Sequence, residues 1–259
     1  MSASIMISNR GAVRTITLNR PDVFNSFNRE MGQAFQQALD QAGQDPNVRC
    51  VVITGEGRAF CAGQDLKEVT APDAPDFRVI VEETYNQSIR KIRDMEKPVI
   101  CAMNGVAAGA GANIALACDL TVARESSSLI QAFSKIGLIP DSGGTWFLPR
   151  LVGMQRAAAL AFFGDKVSAK DAEFLGLIYR AVADEDFDMV INDLGDRLSS
   201  LPTRGLGLTK KAFNAGWESS LSDHLTTERD LQMEASETDD YKEGVNAFLE
   251  KRTPEFTGK

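Results

Sequence analysis

The chain has 259 residues, 43% hydrophobic and 25% charged, an ordinary globular composition that excludes disorder and needs neither disulfides nor a metal to fold. Its 28 Lys and Arg against 36 Asp and Glu leave a net charge of −8, which argues against broad nucleic-acid or anionic-membrane binding but leaves room for a local basic pocket. A single histidine, His224, excludes zinc sites built on two or three histidines, and it lies in the polar stretch SLSDHLTTERD, read as a solvated helix, far from any glycine-rich turn suited to a Ser–His–Asp triad.

In chain order, residues 4–8 and 13–18 are short β-branched runs joined by Asn9-Arg10-Gly11, a hairpin signal. Asn28 or Asn25 can cap a helix in which Met31, Phe35, Ala38, Leu39 and Ala42 recur at helical spacing until Gly43. The run CVVIT at 50–54 reads as a strand buried on both faces, the pattern of parallel sheets. After a loop, the spacing predicts a long amphipathic helix over 77–95, ended by Lys97-Pro98. A second buried strand is expected at 99–103, a small-residue helix at 105–117, a third strand at 119–123 and a fourth at 128–133.

From Thr145 the pattern turns helical, with segments at 146–152, 155–163, 169–175, 186–198, 206–217, 221–235 and 241–251, and one weak strand at 179–182. The alternation predicts an α/β fold with a largely parallel core over residues 1–198, followed by a helical extension over 199–259. Cys50, Cys101 and Cys118 lie in apolar runs as small buried hydrophobes. Cys61 is a candidate reactive thiol, although no histidine or cation adjoins it. The N-terminal segment has no secretory apolar core and no apolar run approaches 18 residues, so a soluble, cytoplasmic protein is expected.

Three glycine-rich segments punctuate this pattern. RAFCAGQDL (58–66) and NGVAAGAGA (104–112) each follow a buried strand, at the end of an open α/β sheet where ligands usually bind. Glycine lets backbone approach a ligand closely, and a helix starting there aims unpaired N–H groups at it. Two such groups from separate loops would make an oxyanion hole; equally, either loop could serve close helix packing. Neither segment fits the dinucleotide fingerprint or the phosphate-binding P-loop. The third, GLIPDSGGT (137–145), reads as a turn into a helix with Asp141 or Ser142 as N-cap.

In this order and spacing the three segments resemble the crotonase (enoyl-CoA hydratase/isomerase) superfamily, from LNRP near the start to EGVNAFLEKR near the end. Within it, AFCAGQDL, AFSKIGLIPDSGGTWFLPRLVG and the C-terminal TGK most resemble the isomerases that convert a ring epoxide of phenylacetyl-CoA to its seven-membered oxepin isomer. The resemblance implies a spiral of ββα turns, then helices that build trimers or dimers of trimers. It assigns the oxyanion hole to the backbone N–H groups of Gln64 and Ala110. The two water-holding glutamates of the family's hydratases fall on Asn113 and Phe133, so hydration should be weak or absent.

What the resemblance leaves is Asp141, at the family's isomerase acid/base position, with burial among Ile139, Pro140 and Trp146 expected to raise its pKa. Asn113 could bond a substrate oxygen or a water, or simply sit in a packed helix. Trp146, Phe133 and Phe24 could shape an aromatic acyl pocket or belong to the core. For coenzyme A the resemblance points to Arg20, Val23, Ala62, Asp65, Leu66 and Lys67, with Phe248 and Lys251 arriving from a neighbouring subunit. No metal or redox cofactor is implied, coenzyme A being part of the substrate. The expected function is an acyl-CoA isomerase that also shifts 3-enoyl-CoA to 2-enoyl-CoA. Rival readings are a general hydratase, an aliphatic enoyl isomerase, or a weakly active acyl-CoA-binding subunit partnering a hydratase.

Overall fold

In the computed structural model, which describes residues 3–259, two antiparallel strands, β1 (Ile5–Arg10) and β2 (Val13–Leu18), form the expected hairpin. Asn28, not Asn25, caps helix α1 (Arg29–Gln44), its side chain accepting the Met31 N–H at 3.0 Å. Asn25 does another job: buried, with φ 54°, it donates to the carbonyls of Glu56 and Ala59 and accepts the Arg20 N–H. It thereby staples the loop after β2 to the first glycine-rich segment.

The spiral then alternates a long strand with a short one. β3 (Cys50–Gly55) is followed by β4 (Ala59–Cys61), β5 (Val99–Met103) by β6 (Val106–Ala108), and β7 (Leu120–Arg124) by β8 (Ser128–Ile130). The long strands join a six-stranded sheet of order β1-β2-β3-β5-β7-β10, parallel beyond the hairpin, with β10 (Arg180–Val182) at its edge. The short ones form a second sheet, β4-β6-β8-β9, closed by β9 (Lys166–Ser168) running antiparallel. Four of these short elements depart from expectation: β4 and β9 carry too little pattern to announce themselves. The stretch expected as helix 105–117 begins as β6 and only then becomes α5 (Ala110–Ala117), while the strand expected at 128–133 stops at Ile130 and gives way to a 3-10 turn, Ala132–Ile136.

Between the first two long–short pairs lie α2 (Leu66–Val69) and a long helix built from α3 (Phe77–Val79), a π-helical stretch Ile80–Asn86, and α4 (Gln87–Asp94). The expected single helix is therefore continuous but locally widened by a π turn. Alternating strand residues serve two cores, which is why the long strands read as continuous apolar runs. Val51, Ile53, Cys101 and Met103 face α1, α4 and α5, while Cys50, Val52, Ile100 and Ala102 face Phe187, Ile191 and Leu194 of α8 (Phe187–Ser200).

Helix α6 (Gly144–Phe163) merges the two segments expected at 146–152 and 155–163; Gly153, with φ 75°, breaks it where the sequence shows a gap. After α7 (Ala169–Leu175) and α8 come α9 (Thr203–Gly216), α10 (Leu221–Ser236) and α11 (Asp239–Glu250). Buried Lys210 pins α9 to the core, donating to the Ile92 carbonyl at 2.6 Å and to Asp119 at 2.9 Å. His224 on α10 is less solvated than expected: it lies against Gly216, 3.5 Å from Glu228. No helix among the described residues is long and apolar enough to cross a membrane.

Candidate active site

The first two glycine-rich segments meet. Residues 62–65 run beside Phe27, with Phe27 N–H donating to Gly63 O at 2.7 Å and Asp65 N–H to Phe27 O at 2.8 Å. That pairing uses the Gly63 carbonyl and the Asp65 N–H and leaves the Gln64 N–H with no acceptor among the described residues. In the second segment Gly109 N–H binds Ile130 O, and the chain turns at φ 53°, ψ −127°, a conformation open only to glycine. Ala110 is then the first residue of α5, so its N–H has no helical partner.

The two free amides are neighbours. A Cβ built on Gly63, whose φ is 89°, would sit 3.4 Å from Ala110 N and 2.9 Å from Ala108 O. Gly111 meets Cys61 so closely that any side chain there would strike its carbonyl and sulfur. The small residues thus serve close packing and place two unpaired donors side by side; the alternatives were one arrangement.

These amides open onto a cavity of about 260 Å³. Its walls are apolar, including Leu66, Val69, Ile80, Val81, Phe133 and Leu138, and Asp141 is the one carboxylate among its lining residues. Burial raises the Asp141 pKa, opposed by the Ser142 hydroxyl, which donates to Oδ1 at 2.8 Å, and by the residue's own backbone N–H. The wall that buries it differs from expectation. Ile139 is 77% exposed, and Trp146 lies outside the cavity, tilted against Trp217 with the Arg150 guanidinium over its ring. Nor do Asp141 and Ser142 cap α6: Gly143 holds that position, while Asp141 O accepts Gly144 N–H.

Asn113 is wholly buried and both ends of its amide are engaged: Nδ2 donates to Asp141 O and Oδ1 accepts from Gln131 Nε2, each at 2.8 Å. It holds the Asp141 backbone and is not among the residues lining the cavity. Phe133 does reach the cavity and lies against Gly109. Phe24 does not; it is 42% exposed, with the Arg58 guanidinium over its ring. Cys61 is no exposed thiol: it is fully buried, its pKa pushed up to about 12.

Of the residues expected at coenzyme A, Ala62 and Leu66 line the cavity. Arg20 and Asp65 are ion-paired to each other at 2.8 Å, and Val23 lies in the preceding turn. Lys67 is exposed on α2, where Asp65 caps its N–H. Phe248 on α11 and Lys251 just beyond it are exposed and line no part of this cavity within the single chain. The sequence reading missed Tyr85, which lines the cavity from the π turn and donates to Gln64 Oε1 at 2.8 Å. Its only signal was its place in the amphipathic stretch 77–95, and the π turn that re-aims it leaves no mark in the spacing.

Two unpaired amides beside a carboxylate in an apolar cavity form a site suited to stabilising an oxyanion while moving a proton. The sequence profile of the enoyl-CoA hydratase/isomerase family matches residues 8–259, and the chain belongs to that family. Among its relatives, a 1,2-epoxyphenylacetyl-CoA isomerase of Escherichia coli is 49% identical over 95% of both chains. A probable enoyl-CoA hydratase of Rhodobacter capsulatus is 44% identical over 94% of both. The crystal structure of an enoyl-CoA hydratase from Bacillus anthracis superposes with a TM-score of 0.94 at 33% identity, over 99% of this chain and 100% of that one.

Proposed function

We propose that the chain is an acyl-CoA isomerase whose substrate is a ring-epoxidised phenylacetyl-CoA, converted to the oxepin isomer, and which also moves the double bond of a 3-enoyl-CoA to the 2-position. The observation that carries this is the single carboxylate among the cavity-lining residues, Asp141; the family resemblance, which equates Asn113 and Phe133 with the water-binding glutamates of the hydratases, supports it. Its relative of E. coli, named a 1,2-epoxyphenylacetyl-CoA isomerase, supports the ring substrate.

In the double-bond shift, Asp141 takes a proton from the carbon alpha to the thioester. The C–H electron pair moves to the thioester oxygen, where the Gln64 and Ala110 N–H groups hold it. The proton then returns to the far end of the allylic system, leaving Asp141 as it began. Product and substrate are isomers, so the step needs no electron acceptor and no resident cofactor. Opening of the epoxide to the oxepin also gains and loses no atoms. Coenzyme A would extend from the cavity mouth past Ala62, Asp65, Leu66 and Lys67 toward Arg20 and Val23. Phe248 and Lys251 of a neighbouring copy would complete its site in a cytoplasmic trimer or pair of trimers, assembled through residues 199–259.

Several relatives are named hydratases, which keeps hydration as the second reading. The test is to incubate the protein and Asp141→Asn with a 3-enoyl-CoA and a 2-enoyl-CoA, following double-bond migration and hydration separately. Migration without hydration is expected, falling by about 10²–10⁴ in the variant. Robust hydration that survives the substitution would overturn the isomerase reading.

A further inference from the structure

We propose that Tyr85 is a positioning residue for the oxyanion hole, holding the Gln64 amide toward substrate by gripping the Gln64 side chain. This rests on the reading of the Gln64 and Ala110 amides as donors to an acyl-CoA thioester. It concerns a residue outside the acid/base and amide groups that carry that reading.

The grip is a chain of hydrogen bonds with a fixed direction. Gln64 Nε2 donates to Glu68 Oε2 at 2.9 Å, and Glu68 Oε1 accepts the Arg29 N–H at 2.8 Å. A carboxylate can only accept, so Gln64 must turn its NH₂ group to Glu68. Its carbonyl oxygen is left for Tyr85, and a carbonyl can only accept, so the phenol must donate. Tyr85 is 1% exposed, and its burial pushes its pKa far above the ordinary phenol range, so the donated proton stays in place. The chain is anchored at one end in the π stretch, packed on Phe27 at a ring-centroid distance of 6.0 Å. At the other end it is anchored on the first N–H of the 16-residue helix α1.

Gln64 needs this grip because its amide follows Gly63, a residue at φ 89° with the widest torsional freedom in the loop. The Phe27 N–H holds the Gly63 carbonyl, which shares one peptide plane with the Gln64 N–H, and the side-chain grip holds that plane from its other end. Clamping both polar atoms of the Gln64 side chain holds its Cα, so the Gly63–Gln64 peptide plane cannot tilt about the Phe27 hydrogen bond and the free N–H stays on the cavity side. The π turn supplies the placement, since an extra residue in the helical turn swings Tyr85 onto the loop while Thr84 still packs on Gly32.

The experiment uses the full-length protein, Tyr85→Phe, Gln64→Leu and the double variant. It reads kcat and KM for a 3-enoyl-CoA, and the infrared carbonyl stretch of a bound saturated acyl-CoA. Tyr85→Phe keeps the ring and its packing, and should lower kcat on the order of tenfold with KM little changed, short of the 10²–10³ lost when an oxyanion donor is deleted. The carbonyl downshift seen on binding should shrink in parallel. Because both variants cut one linkage, the double variant should be no slower than the worse single one. Losses that multiply, or a Tyr85→Phe protein with full kcat and full downshift, would overturn the proposal. If Tyr85→Phe fails to fold, Gln64→Leu and its carbonyl stretch carry the test alone, an undiminished downshift counting against the grip. Asp141→Asn should slow migration by the same factor of about 10²–10⁴ yet keep the downshift. A parent protein that shows neither migration nor downshift would sink the oxyanion reading and this inference with it, whereas a downshift untouched by Tyr85→Phe sinks this inference only.

Discussion

Asp141 stands between opposing influences, an apolar cavity that disfavours its charge and a serine hydroxyl that favours it. Ser142 makes that bond from φ 52°, a left-handed conformation unfavourable for a residue with a Cβ, and it is almost completely buried. Removing the hydroxyl in Ser142→Ala takes away the stabilising donor, so the Asp141 pKa should rise further. The acid limb of kcat, measured from pH 5 to 8, should then move to higher pH. The same burial has a cost in stability. A carboxyl whose folded pKa lies above its unfolded one binds protons more readily when folded, so stability is lost as pH rises through the folded value. Asp141→Asn should therefore melt higher than the parent at pH 7, and the gap should close as the pH falls toward 4. Equal melting temperatures at both pH values would count against a carboxylate whose pKa is raised by burial. Asn113 shows how one residue changes its task. At the position the family resemblance equates with a hydratase glutamate, it spends both polar ends on Gln131 and the Asp141 carbonyl.

At the scale of elements, the two glycine-rich loops act only as a pair. Each alone looks like close packing, and the packing itself brings Gly63 against Ala110. Gly63→Ala would force a Cβ into a position 2.9 Å from Ala108 O, at a φ of 89° that alanine rarely adopts. The loop must shift, and kcat should fall by about 10²–10³, the usual cost of a lost oxyanion donor. Thermal melting should fall by much less, since the Cβ meets the loop and not the sheet core. A variant with near-native kcat would mean that the amides tolerate displacement and that their geometry matters little. The long strands and α1 were legible because their apolar periods are strong. The strands β4, β6 and β9, three residues each, were not: a three-residue strand carries too few positions to establish a period.

For the molecule as a whole, the six-stranded sheet is sealed on both faces, yet large apolar side chains remain in water. Phe162, Phe163, Phe174, Phe213 and Phe248 are each more than half exposed. The proposed assembly of three or six copies would cover part of this aromatic surface. Light scattering on the purified protein should give the mass of three or six chains. A monomer at micromolar concentration would remove the neighbour through which Lys251 is proposed to reach coenzyme A. If the neighbour is present, Lys251→Glu should raise KM for acyl-CoA and leave kcat nearly unchanged.

The alternation of apolar strand runs with helical periods determined by itself the α/β class, and the three glycine-rich segments the family resemblance and the candidate carboxylate, because those features are local in the chain. Tertiary structure alone decided which groups meet. It turned Asn113 inward and put Trp146 beside Trp217, outside the cavity, and it left Ile139 in water. It also delivered Tyr85 to Gln64 through a π turn. Residues 21 positions apart become hydrogen-bond partners only when a helix and a loop pack together, and no period or motif along the chain records that distance.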